Sequence, residues 1–175
     1  MPGKAGGMVP RGITFRELRA PDLLLMHRWL NAPHVRRWWY AEGSSYKEIE
    51  EHYLPGIESR DWTKRFLILY ENNPIGFVQS YRISAGDVDM FIGEPEYLYR
   101  GLGSHVIRRF LSEHVFSDPE IEACVIGPEP KNAAAIRAYG KAGFRFYKTI
   151  QVPGEPEPEY LMKLSRQEFE GDGLG

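Results

Sequence analysis

The residues of this chain best suited to holding an anion are Arg100-Gly101-Leu102-Gly103-Ser104. They follow a short apolar run, Val88–Gly93, and open the clearest amphipathic pattern in the sequence: Val106, Ile107, Phe110, Leu111 and Val115 share one face at a 3.6-residue period. Glycines let a backbone approach a ligand closely, and the first turn of a helix has four unpaired N–H groups. With roughly half a positive charge from the helix dipole, such a turn cradles a pyrophosphate, and Arg100 adds a charged contact. A Gly-x-Gly at a strand-to-helix junction is also read as no more than a tight turn. It is neither a dinucleotide fingerprint nor a P-loop, because Val106 stands where the third glycine belongs and no Gly-Lys-Ser/Thr follows. Ser104 lies in no Gly-x-Ser-x-Gly elbow and reads as a phosphate contact or cap rather than a nucleophile.

Other chemistry-bearing residues read more plainly. His105 and His114 are nine apart and no histidines pair at ligand spacing, so no metal is expected. Cys124 is the only cysteine; within an apolar strand it reads as a small buried hydrophobe, and it excludes an internal disulfide. Among the carboxylates, Asp61, Asp87, Asp89, Glu94, Glu129 and Glu155 are candidates for holding a cation, and Asp89 alternates into a strand between Val88 and Met90. Tyr139, on an alanine-rich helix, reads by itself as a core aromatic.

The elements that must position these residues alternate along the chain. Ile13–Leu18 is a strand; Pro21–Asp22 opens a helix with Leu23, Met26, Trp29 and Leu30 at helical spacing, stopped by Asn31-Ala32-Pro33. Ser44 or Ser45 caps a second helix bearing Tyr46, Ile49, Tyr53 and Ile57, which Pro55 should kink or end. Phe66–Glu71 and Pro74–Arg82 are strands joined at Asn72-Asn73, and Val88–Gly93 is a third. After the amphipathic helix come strand Ala123–Ile126, a helix from Asn132 that Gly143 ends, and strands Phe144–Val152 and Tyr160–Leu164. The order βααβββαβαββ predicts a mixed α/β domain around a central sheet. Residues 1–12 read as a flexible leader and 171–175 as a flexible tail, leaving a single domain over 13–170.

Composition bounds the partners. The chain has 175 residues with 42% apolar and 13% aromatic residues, enough to bury one core. A net charge of −2 gives no basic excess to suggest nucleic acid, and no apolar run is long enough to cross a membrane. A reduced, cytoplasmic protein is expected, and a monomer and a weak dimer are equally compatible with the sequence.

Arg-Gly-Leu-Gly-Ser after a strand, then Asn132-Ala-Ala-Ala-Ile-Arg-Ala-Tyr-Gly-Lys-Ala-Gly-Phe144 before a final strand pair, resembles the GNAT acetyltransferase superfamily. Within it the chain is most similar to the aminoglycoside 6'-N-acetyltransferases. The matching stretches include Trp29-Leu-Asn31, His34-Val-Arg-Arg-Trp-Trp39, Tyr53-Leu-Pro55, Pro74-Ile-Gly-Phe-Val-Gln-Ser-Tyr81 and Asp118-Pro-Glu120, in order, from about Phe15 to Phe169. The resemblance implies a GNAT fold, a central mixed, mostly antiparallel twisted sheet flanked by helices. It implies acetyl-CoA as cosubstrate, no metal, and transfer of acetyl to the 6'-amine of a polycationic aminoglycoside in a ternary complex.

Residue by residue, the resemblance implies that Asp89, twelve residues before Gly101, faces the substrate amine, and that Tyr139 is the general acid. Phe91 and Ile92 would lie along acetyl-CoA, Arg100, Gly101, Leu102, Gly103 and Ser104 would hold its pyrophosphate, and Asn132 would contact it. Trp39, Tyr53, Asp61 and Gln79 match positions lining the aminoglycoside cleft, where one of the Trp38-Trp39 pair would stack on a sugar ring. Three features depart from the pattern. Leu98 replaces the usual Gln or Arg before the first glycine, Arg82–Val88 is short, and Gly127 and Gly154 stand where two substrate-binding aspartates belong, with Glu129 and Glu155 nearby as substitutes. Two other readings remain: a siderophore-pathway N-acyltransferase acting on a lysine-type amine, whose members usually carry His at the position of Asp89, and a catalytically silent acyl-CoA-binding module.

Overall fold

The computed structural model describes residues 12–39, 42–59, 62–81, 86–151, 153–154 and 157–171. Seven strands form one sheet in the order β1-β2-β3-β4-β5-β7-β6, with β1 Ile13–Glu17, β2 Thr63–Tyr70, β3 Asn73–Tyr81, β4 Gly86–Ile92, β5 Ala123–Ile126, β6 Arg145–Ile150 and β7 Glu159–Ser165. Every neighbouring pair is antiparallel except β4 and β5, which run parallel. The mixed, mostly antiparallel α/β sheet expected from the sequence is therefore present.

Strand alternation divides the apolar residues between two cores. On one face Leu67, Phe77 and Phe91 pack under α1 Leu23–Leu30, α2 Pro33–Arg36 and α3 Tyr46–Ser59. On the other, Ile68, Val78 and Val88 pack under α4 Leu102–Phe110, whose Val106, Ile107 and Phe110 are fully buried, and beside α5 Ala133–Lys141. The β4–β5 pairing is brief: only Gly86↔Cys124 and Asp87↔Val125 are in register. Beyond Asp87, β4 continues with β3 alone.

Several local expectations need correction. Pro33 does not only end α1; as the first residue of α2 it starts a new turn, a position where its missing N–H costs nothing. Pro55 neither ends α3 nor stops it short of Ser59. Ser45 and Glu48 form a reciprocal capping box on α3, Ser45 N to Glu48 Oε2 at 2.7 Å and Glu48 N to Ser45 Oγ at 3.3 Å. The tight turn centres on Glu71-Asn72, both with positive φ (49° and 66°), so β3 begins at Asn73. After α4 the chain widens into a π-turn over Leu111–Val115. At the ends, Gly12 is tied to the sheet by its carbonyl, which accepts from Glu71 N at 2.9 Å, and Gly171 closes a last helix, α6 Arg166–Gly171. The rest of the expected leader and tail lies outside the described residues.

Candidate active site

Where β4 and β5 part, a cleft of about 600 Å³ opens. Asp89, Met90, Phe91 and Ile92 of β4 form one wall, Ile126 to Glu129 following β5 a second, and α5 residues through Tyr139 a third. On the β4 wall the strand edge has no β5 partner beyond Asp87, so backbone groups that β5 would otherwise engage face the opening. The end of β4 is held from the other side. His34 Nε2 donates to the Ile92 carbonyl at 3.1 Å, Gly93 lies so close on Trp29 that a Cβ would meet the indole at 2.4 Å, and Glu94 accepts from Trp29 Nε1 at 2.9 Å and pairs with Arg28. Glu94, a candidate for holding a cation by sequence, is thus already engaged by protein groups.

Asp89 is the carboxylate the fold singles out. It sits opposite Gln79 in the β3–β4 register, on the face shared with Phe77 and Phe91. Gln79 is 4% exposed; its Nε2 reaches Asp89 Oδ2 at 3.5 Å and also donates to the Tyr81 hydroxyl. Burial raises the pKa of Asp89 above its ordinary value, against hydrogen bonds from Gln79 and Tyr81 that favour the ionised form. Asp87, two residues earlier on the same face, is also raised, first by burial, then by the charges of Asp89 and Glu159. Tyr139 is buried in the opposite core beside Phe144, and burial together with the Asp89 charge pushes its phenol pKa up. The phenol therefore stays protonated at any physiological pH.

The glycine-rich loop forms the other end of the cleft. Gly101 is the residue before α4 and takes φ 77°, a left-handed conformation that disfavours any side chain. Gly103 has no such need: a Cβ there would touch only Ala138 Cβ, at 3.5 Å. Ser104 Oγ donates back to the Gly101 carbonyl at 3.1 Å and caps none of the first-turn N–H groups, so the cap expected as one reading of Ser104 is not formed. The free N–H groups of this first turn lie on the cleft, lined by Gly101, Leu102, Gly103 and Ser104.

Of the residues picked out by sequence, the fold brings Asp89, Tyr139, Phe91, Ile92, Gly101 to Ser104, Asn132, Trp39 and Glu129 onto one cleft. Asn132 also caps α5, accepting from Ala135 N at 3.1 Å. Trp38 and Trp39 are both half-buried on the cleft, Trp39 standing edge-on to Phe91 with ring centroids 4.8 Å apart. Besides Glu94 and Asp87, which lies on β4 before the cleft opens, three residues are placed elsewhere. Arg100 does not line the cleft but lies over the Tyr97 ring at 5.5 Å, Tyr53 is in the α1–α3 core against Phe77, and Gln79 reaches the site only through Asp89. Asp61 and Glu155 lie outside the described residues. Sequence reading missed Tyr81, His34, Arg137 and Lys141. Tyr81 stands two residues past Gln79 on β3, a relation that becomes informative only once the β3–β4 register is known. Among the described residues no cluster of His, Cys, Asp or Glu is arranged to hold a metal, and no helix is long and apolar enough to cross a membrane.

Residues 19–152 match the family model for the acetyltransferase (GNAT) domain. The chain is 31% identical over 174 residues to aminoglycoside N(6')-acetyltransferase type 1 of Klebsiella pneumoniae, an alignment covering 90% of this chain and 85% of that protein. Its fold is similar to that of AAC(6')-Ib solved with ribostamycin and coenzyme A, at a TM-score of 0.82 and 30% identity over 91% of this chain and 96% of the other. The same enzyme solved with coenzyme A and kanamycin gives 0.81 and 29%, covering 91% and 98%.

Proposed function

The chain belongs to the GNAT acetyltransferase family, and from that premise we propose that it transfers acetyl from acetyl-CoA to the 6'-amine of aminoglycosides. The observation that carries this reading is the convergence of an inward carboxylate, Asp89, and an α4 N-terminal cradle on one cleft at the parting of β4 and β5. The two ends have opposite chemistry. Around Asp89 lies the second carboxylate Asp87, suited to a polycation, while the α4 N-terminus suits a diphosphate. The AAC(6')-Ib relatives solved with an aminoglycoside and coenzyme A make the same pairing of ligands.

In this reading the Gly101–Ser104 backbone holds the pyrophosphate, with Asn132 and the Phe91–Ile92 edge of β4 along the rest of acetyl-CoA. A backbone N–H of β4 polarises the thioester carbonyl. Trp39 and Glu129 border the aminoglycoside. The bound amine is an ammonium and must lose a proton before it attacks. Asp89 orients it and receives that proton directly or through water, and its raised pKa makes it a better base than an ordinary aspartate. The amine nitrogen then bonds to the carbonyl carbon, the C–S bond breaks, and the nitrogen sheds its second proton. Tyr139 serves the departing sulfur. Its phenol is a weaker acid than a thiol of pKa about 8.5, so it acts by donating a hydrogen bond as charge grows on sulfur, and protonation of the thiolate completes from solvent. Net, an ammonium and a thioester give an amide, a thiol and one released proton.

All of these groups come from one chain, so the reading needs no second protomer and holds for a monomer or a weak dimer. A reducing cytoplasm suits the single buried thiol of Cys124.

Thiol release from acetyl-CoA tests it, with kanamycin, a matched aminoglycoside bearing a 6'-hydroxyl, and hydroxylysine as acceptors. Acetylation of kanamycin alone is the expected result. Equal reaction with both drugs overturns the 6' assignment, reaction with hydroxylysine alone favours the siderophore-type acylase, and no reaction with any acceptor leaves a silent module.

A further inference from the structure

We propose that His34 is a positioning residue for the thioester: by occupying the Ile92 carbonyl it leaves the open edge of β4 to its N–H donors. The inference rests on the acetyl-CoA reading above. The peptide joining Ile92 and Gly93 is held at both ends. Its N–H, on Gly93, donates to the Ile75 carbonyl at 2.7 Å, and trans geometry turns its C=O, on Ile92, the opposite way. That is the edge from which β5 has parted after Asp87, and there the Ile92 carbonyl accepts from His34 Nε2 at 3.1 Å. The β3–β4 register is unbroken from Asp87 to Ile92, so the polar groups of Met90 and Ile92 face this edge while those of Asp89 and Phe91 face β3. A Cβ on Gly76 would meet the Phe91 carbonyl oxygen at 2.3 Å, which agrees with that carbonyl lying on the β3 side.

An open strand edge presents acceptors as well as donors. Only the donors can stabilise the negative charge that grows on a thioester oxygen under attack, and a carbonyl left facing the same space would oppose it. Ile92 is the last residue of β4, so no later strand residue constrains its carbonyl. His34 engages that acceptor and fixes the peptide plane next to the Ile92 N–H. The histidine is itself well held. It stands on α2 between Pro33, which starts the helix, and Val35, which is 2% exposed in the core beneath α1 and α3. Asn31, just before α2, donates through Nδ2 to the carbonyls of His27 and Ser44, at 2.9 and 2.8 Å. His34 therefore acts on the reaction through β4.

His34→Met and His34→Gln have side chains of similar length, and only glutamine keeps a strong donor. The first readout is the carbon resonance of acetyl-CoA isotope-labelled at the acetyl carbonyl, bound to the whole protein without acceptor. Polarisation of the carbonyl moves that resonance downfield from its position in free acetyl-CoA. The shift is expected in wild type and His34→Gln and should be smaller in His34→Met, at equal acetyl-CoA affinity by calorimetry and similar melting temperature. With kanamycin, kcat should fall roughly tenfold in His34→Met, the scale of one hydrogen-bonding group left unserved, with KM for acetyl-CoA unchanged and most of the rate restored in His34→Gln. A resonance alike in wild type and His34→Met, or a His34→Gln protein that behaves as His34→Met does, overturns the positioning role and leaves the acetyl-CoA reading intact. A wild type that binds acetyl-CoA but ignores kanamycin overturns the acceptor assignment alone, and the resonance still decides on His34. Failure of wild type to bind acetyl-CoA overturns both.

Discussion

Gln79 and Asp89 face each other across the β3–β4 pair, and the buried amide of one, at 3.5 Å, is a principal support for the ionised form of the other. Burial alone pushes the Asp89 pKa upward; the donors on Gln79 and Tyr81 hold it partly down. This balance sets how basic the carboxylate is and over what pH range it remains ionised.

Gln79→Leu should therefore move the acidic limb of the pH profile. The substitution keeps volume and burial but removes a donor to the carboxylate, so the Asp89 pKa rises further. Activity that depends on ionised Asp89 then appears at a higher pH. The acidic limb of kcat/KM, which reports the free enzyme, is expected to shift alkaline in this variant and in Tyr81→Phe. An unmoved limb in both would show that another group titrates there.

Asp89→Asn separates function from stability. Because the folded-state pKa lies above the unfolded value of about 3.9, folding favours the protonated carboxyl. The contribution is full below the unfolded pKa and lost as pH rises through the folded one. Asparagine resembles the protonated form at every pH. The variant should melt higher than wild type near neutral pH, the gap closing below about pH 4, while turnover falls on the order of 10²–10⁴-fold. A lower melting temperature at neutral pH would mean the charge is stabilising and the burial argument is wrong.

What could be read from the chain beforehand follows from range. Local signals sufficed for α4, α5 and the strands, because each carries its period and its punctuation within ten or fifteen residues. They also put Asp89 and the Gly101–Ser104 turn on adjoining elements, since β4, the turn and α4 are continuous; Tyr139, by itself a core aromatic on α5, is singled out only by the family resemblance. The π-turn at Leu111–Val115 keeps an apolar pattern close to helical, so periodicity cannot show it. Pro33 begins a helix by the same fixed φ that usually signals an end. α6 has a readable start in Ser165 and Glu168, joined by Ser165 N to Glu168 Oε2 at 2.9 Å, but six residues carry too little period to declare a helix. The Arg100 assignment looked to residue type and the Tyr53 assignment to the family resemblance, yet side-chain direction decided both. Arg100 turns to Tyr97, and Tyr53 faces Phe77 because its position on α3 points into the core. Glu94 was lost to Arg28 and Trp29, partners more than sixty residues away.

Tyr139→Phe tests the role of the phenol at the leaving sulfur. The ring packs against Phe144 with centroids 6.2 Å apart, a contact phenylalanine keeps. Loss of a hydrogen bond made chiefly in the transition state lowers kcat without changing acetyl-CoA affinity. A fall of roughly 10²–10³-fold is expected, the scale of removing one preorganised donor. Its size should be the same across neutral pH, since the buried phenol is protonated throughout. Wild-type turnover in this variant would make Tyr139 a packing residue.

The two cradle glycines should fail differently. At Gly101 the space is open, with no atom within 4 Å of a Cβ, but φ is 77°. Alanine there costs about 1–2 kcal/mol of backbone strain, and the loop can relieve it only by changing the turn that aims its N–H groups. Gly101→Ala should lower both melting temperature and coenzyme A affinity. At Gly103 the backbone tolerates a side chain, and its new Cβ meets Ala138 at an ordinary 3.5 Å. Gly103→Ala should leave the melting temperature near that of wild type while weakening coenzyme A, because the methyl group stands where phosphate must approach the backbone. Gly103→Val, with two further methyls in that space, should weaken it more. Calorimetry beside thermal melts distinguishes the pair: coenzyme A binding that is unchanged in a folded Gly103→Val protein would remove the phosphate from this turn, whatever Gly101 does.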